Sequence, residues 1–73
     1  MIATGRIDLV VRTSRFTYVI ELKLHNNGGK LAAINQIINH QYMEPFKADK
    51  QKAVGIGIEL DEEGKGLLDW QKV

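Results

Sequence analysis

Residues 6–24, RIDLVVRTSRFTYVIELKL, decide the fold. From Arg6 to Arg12 the side chains alternate, with Ile7, Leu9 and Val11 on one side and Arg6, Asp8 and Val10 on the other, which is the period of a half-buried strand. Polar Thr13, Ser14 and Arg15 interrupt the pattern. It resumes from Phe16 to Leu24, where Tyr18, Ile20, Leu22 and Leu24 face one way and Val19, Glu21 and Lys23 the other. Two strands this close in sequence make a hairpin, and its turn sets the register. If the turn is Ser14-Arg15, or the four residues 13–16, paired residue numbers sum to 29, so Asp8 lies across from Glu21 on one face and Lys23 lies across from Arg6. A three-residue loop gives a sum of 28 and sends the two carboxylates to opposite faces unless a bulge intervenes.

Beyond the hairpin, Asn26-Asn27-Gly28-Gly29 is a turn signal. The apolar period then changes: Leu31, Ile34, Ile38 and Tyr42 recur at spacings of three and four, with Ala33 and Ile37 beside them, predicting a helix of about four turns. Pro45 cannot continue it, so the helix is expected to end near Met43. Residues 47–52 read as a solvated loop. Val54, Ile56, Ile58 and Leu60 alternate with Ala53, Gly55, Gly57 and Glu59 as a third strand, and residues 67–73, after a polar turn at 61–66, make a short fourth strand containing Trp70. The predicted order is ββαββ, an α/β fold with a mixed four-stranded sheet and one helix on one face. A right-handed crossover makes the second and third strands parallel. The helix is expected to cover the greasy rows, leaving the face with Asp8, Val10, Val19, Glu21, Gly55 and Gly57 open to another element.

At 73 residues the chain is one domain or part of one, spanning 1–73, and a large solo enzyme is excluded. With 44% hydrophobic and 26% charged residues it should fold. It has no cysteine, so neither disulfides nor thiolate zinc sites support it. A core this small rarely supplies more than about 3–5 kcal/mol, so a homo-oligomer or a missing segment is expected. A net charge of +1 gives no global attraction to nucleic acid, and any polyanion site must be local. No apolar run approaches the ~18 residues of a membrane span and no signal peptide opens the chain, so a cytoplasmic location with no membrane partner is expected.

The chemistry concentrates in Asp8, Glu21 and Lys23. Like charges opposed on a sheet cost roughly 0.2–1 kcal/mol, more as the site dries, and a bound cation reverses that sign. Two carboxylates with a backbone carbonyl and waters suit magnesium, which dehydrates reluctantly. Lys23, two residues further along the same face, can stabilise an attacking water or charge on a phosphate oxygen.

An aspartate in the first hairpin strand, Glu21-Leu22-Lys23 in the second and a following helix carrying Gln36 resemble the active-site half of a PD-(D/E)xK superfamily nuclease. Gly5-Arg6-Ile7-Asp8-Leu9-Val10-Val11, Gln36-Ile37, Tyr42, Glu44-Pro45-Phe46 and Asp69-Trp70 are further similar to the C-terminal nuclease-like domain found behind AAA-type ATPase domains in many bacterial proteins. The resemblance implies a restriction-endonuclease-like core and magnesium-dependent hydrolysis of DNA phosphodiesters, with manganese as a substitute ion. Asp8 and Glu21 are then metal ligands together with the Leu22 carbonyl, Lys23 the catalytic lysine and Gln36 a helix residue orienting the site. Family members usually carry a helix before the first strand. This chain starts seven residues before Asp8, so a partial domain without that helix is expected, and His40 stands near where the branch often has lysine.

The alternative is a catalytically incompetent interaction or oligomerisation module, pairing with itself, with a missing upstream helix or with an ATPase domain. Simpler readings compete residue by residue. Arg6 with Asp8 and Lys23 with Glu21 could be surface ion pairs of little energy, and Gln36 the wet side of the helix. Arg6, Arg12, Arg15 and Lys30 read as solubilising charge before phosphate contacts. His25 and His40 lack zinc spacing, and Gly28-Gly29-Lys30 lacks the other residues of a phosphate loop. Tyr42 and Trp70 read as core or edge packing.

Overall fold

The fold comes from a computed structural model and is described for residues 7–73. It runs β1 (Leu9–Arg12), β2 (Phe16–Leu24), α1 (Gly29–Asn39), β3 (Lys52–Leu60) and β4 (Leu67–Lys72), with short 3-10 turns at His25–Asn27 and Glu44–Phe46. The four strands form one sheet in the order β1-β2-β3-β4. β1/β2 and β3/β4 are antiparallel, β2/β3 is parallel, and α1 makes the crossover. This is the α/β arrangement of a restriction-endonuclease-like core.

The hairpin register resolves the alternatives. Leu9 pairs with Ile20, Val10 with Val19, Val11 with Tyr18 and Arg12 with Thr17, so paired numbers sum to 29 at every rung. The turn is held by Thr13, whose N–H donates to the Phe16 carbonyl at 2.7 Å and whose hydroxyl accepts the Phe16 N–H at 2.9 Å. β1 begins at Leu9 rather than Arg6. Beyond the first rung the Leu22 N–H donates to the Asp8 carboxylate at 3.0 Å. Ile7 leaves its predicted row and packs against the core. Arg6, and with it the expected Arg6–Lys23 opposition, lies outside the described residues.

The helix covers the opposite face from the one expected. Thr17, Val19 and Glu21 of β2 and Gly55 and Gly57 of β3 are buried on this face, Gly57 against Ala33 and Ile34 of α1 and Gly55 against Met43 and Val73. The glycines that made this face look bare are the reason. A Cβ on Gly57 would stand 2.9 Å from the Lys30 carbonyl oxygen and 3.0 Å from the Ala33 Cβ, so the helix backbone sits where a larger side chain would have to be. The greasy rows are the open face: Tyr18, Ile20, Leu22, Val54, Ile56 and Ile58 are half-buried by their strand neighbours, and Leu9, Val11 and Trp70 are exposed.

α1 also stops earlier than the apolar spacing predicts, at Asn39 and not near Met43. The Gln41 N–H bonds the Ile38 carbonyl, the Tyr42 N–H bonds the Ile37 carbonyl, and Gln41 takes a left-handed conformation at φ 55°. This is a Schellman ending, with its usual apolar contact supplied by Tyr42 against Ile37. Tyr42 is therefore not on the helix but tucked under its end, where it joins Val19 and Ile37 as the buried cluster. At the other end of α1 the cap is remote in sequence: Glu59 of β3 accepts the Lys30 N–H at 3.0 Å, and its second oxygen bonds His25 Nδ1.

Gly57→Val is expected to lower stability by about 2–3 kcal/mol through overpacking against helix backbone. Ile56→Val, on the open face next to it, should cost less than about 1 kcal/mol. Urea unfolding of both variants checks the assignment of faces, and a neutral Gly57→Val contradicts it.

Candidate active site

Asp8 stands in the bend just before β1, whose first rung pairs Leu9 with Ile20, and its charge lies beside Glu21 of β2. Asp8 is exposed and fixed by the Leu22 N–H. Glu21 is only 2% exposed. One of its oxygens, Oε2, accepts a hydrogen bond of 2.6 Å from Gln36 Nε2 on α1, and the same nitrogen donates to the Tyr42 hydroxyl at 3.0 Å. The other, Oε1, is buried without a partner. Lys23 lies two residues along the same strand face and, among the described residues, enters no ion pair. Asp8, Glu21, Lys23 and Gln36 thus come together, with Leu22 supplying the backbone between the two charged residues of β2.

The electrostatics follow from burial and like charge. Desolvation is the largest influence on Glu21, the neighbouring Asp8 charge adds to it, and Lys23 opposes both; together they push its pKa up to about 7. Near neutrality the group is therefore poised between its protonated and ionised forms. A cation meeting both groups relieves the same two penalties by another route, since it satisfies Oε1 and offsets the paired charge. The donor set fits such an ion: all oxygen, with two carboxylates and coordination positions left for water, as magnesium prefers. Among the described residues no group of three or more His, Cys, Asp or Glu side chains is arranged to hold a metal.

Other residues weighed for function lie elsewhere. Arg12 pairs with Asp49 and stacks over Phe46, and Lys30 pairs with Asp69, so both are committed to holding loops and strands. His25 sits on Glu59, which raises the imidazole pKa and lowers that of the carboxylate. His40 stacks on Tyr42, with ring centroids 5.6 Å apart. Trp70 is 56% exposed on edge strand β4 and is not core. Tyr42, which reads in the sequence as core or edge packing with no site role, brings its hydroxyl to the site. Its helical spacing concealed the turn at Gln41, and no glycine marks that turn.

Because the folded-state pKa of Glu21 lies above its ordinary 4.5, the native protein holds this proton more tightly than the unfolded chain. The resulting stability is fully present below pH 4.5 and lost as pH rises through about 7. At ~1.4 kcal/mol per pH unit the loss amounts to about 3 kcal/mol. In the presence of chelator, Glu21→Gln is expected to match wild type near pH 5 and to exceed it by that order at pH 8. Parallel pH profiles in urea unfolding contradict a buried, charge-averse Glu21.

The family model of the PD-(D/E)XK nuclease superfamily matches residues 1–70. No curated protein and no solved structure shows significant similarity to the chain. Nucleases of this superfamily are generally dependent on divalent metal ions. The family match spans nearly the whole chain, including the hairpin that carries Asp8, Glu21 and Lys23 and the helix that carries Gln36, and the chain belongs to the PD-(D/E)XK nuclease superfamily.

Proposed function

We propose that the protein hydrolyses DNA phosphodiester bonds with magnesium, manganese serving as a substitute. The observation that carries this reading is Glu21 Oε1, an unpartnered buried oxygen on a carboxylate beside a second carboxylate. Asp8 and Glu21 would hold the ion together with the Leu22 carbonyl. The N–H and C=O of one strand residue project to the same side, and the Leu22 N–H is directed at Asp8, which supports that third ligand. When bound, the ion would polarise the phosphate and lower the pKa of a coordinated water. The chain's own residues do the rest. Gln36 fixes Glu21 Oε2, Asp8 is braced by backbone, and the ammonium of Lys23 stabilises charge developing on the phosphate and positions the incoming water. A cytoplasmic location suits this role, with residues 1–73 forming one partial nuclease-like domain.

A second reading rests on the open sheet face. Its apolar residues run from Leu9 on one edge strand to Trp70 on the other, more than a solvated surface ordinarily carries. An interaction module of nuclease fold, covered by a second copy, an upstream helix or a fused ATPase domain, accounts for that face without catalysis.

Isothermal titration of magnesium or manganese is expected to give a binding signal with wild type that disappears in Asp8→Ala. Lys23→Ala should retain metal and lose cleavage of a DNA substrate on the order of 100-fold. Equal titrations of wild type and Asp8→Ala remove the metal site. Metal binding without any cleavage selects the module.

A further inference from the structure

We propose that Tyr42 is a positioning residue of the acidic site, acting through Gln36 on Glu21. The inference rests on the metal-site reading above and deepens it. Gln36 Nε2 has two hydrogens and two acceptors, Glu21 Oε2 at 2.6 Å and the Tyr42 hydroxyl at 3.0 Å. A glutamine projecting from a helix toward a single carboxylate has three torsions to settle and can also turn its carbonyl oxygen inward, where it would repel an ionised Glu21. The carboxylate selects the amide's N–H end, and the Tyr42 hydroxyl, as a second partner on the same nitrogen, holds that nitrogen in place against rotation of the side chain.

Tyr42 is suited to this by its rigidity. It is 0% exposed, packed on Val19 and Ile37, stacked against His40 and placed by the two backbone bonds that end α1. Its ring has no room to follow Gln36 if the amide swings. Fixing Oε2 in this way leaves Oε1 as the oxygen of Glu21 still open to a cation. The early end of α1 thereby acquires a functional consequence. Had the helix run on through Tyr42, that residue would be carried around the helix axis and away from the Gln36 amide.

The test is Tyr42→Phe, which keeps the ring and removes only the hydroxyl. Manganese affinity, read by isothermal titration, is expected to fall about 3- to 10-fold, the scale of one hydrogen bond. In a Gln36→Ala background the same substitution should have no further effect, which a merely structural role for Tyr42 would not produce. Additive losses, or a Tyr42→Phe titration equal to wild type, overturn the proposal. Absence of binding by wild type would instead remove the metal reading, so the side-chain amide of Gln36 is followed by NMR without metal. Its two protons are expected to be well separated and slow to exchange in wild type, and to move toward free-amide values in Tyr42→Phe. An unchanged Gln36 amide in the variant overturns the proposal, and so does a free-amide spectrum in wild type, which needs no variant to fold.

Discussion

A carboxylate shut away from water and held by only one of its two oxygens is the constraint on which the rest of the structure turns. Glu21 is 2% exposed, one oxygen is engaged by Gln36 and the other has no partner. Burying an ionised carboxylate costs several kcal/mol unless it is paired, so the group must take up a proton or meet a cation. The neighbouring Asp8 makes the first option electrostatically favourable near neutral pH and makes the second one stronger, because one divalent ion offsets two charges at once. A solvated cluster of surface ion pairs would look different: Glu21 would be exposed as Asp8 is, and Lys23 would be paired with one of the two.

What buries Glu21 is the approach of α1 over glycine. Gly57 lies directly opposite Glu21 on β3, and with no side chain it lets the helix descend until its backbone is in contact. Two residues along the same strand, Glu59 caps the first turn of the helix through the Lys30 N–H. β3 therefore fixes the height of α1 at one position and its beginning at another, while the Schellman turn at Gln41 fixes its end. Between these constraints Gln36 is delivered to the carboxylate. The site is thus built mainly by packing, with only a handful of polar groups doing the positioning.

Part of this was legible from residue order and part was not. The hairpin followed from alternation, whereas its register stayed open between two turn lengths until the pairing of Leu9 with Ile20 selected the sum of 29. The crossover helix and the parallel pairing of β2 with β3 followed from connectivity. The covered face did not, because alternation reports that two faces differ without saying which is inside. Gly55 and Gly57 read as a bare surface when they are a close-packed one, since the apolar material against them belongs to α1 at Gly57 and to Met43 and Val73 at Gly55, not to their own strand. The end of α1 was hidden for a related reason. Gln41 adopts a conformation that usually announces itself with glycine or asparagine, and Tyr42 falls on the helical period although it lies outside the helix.

The most direct test of the account is anomalous scattering from crystals of the protein soaked in manganese. The account predicts a peak within bonding distance, about 2.0–2.2 Å, of both Glu21 Oε1 and an Asp8 oxygen, with Gln36 still on Oε2. A well-ordered structure with no peak there, or with the two carboxylates turned to different faces of the sheet, would contradict it.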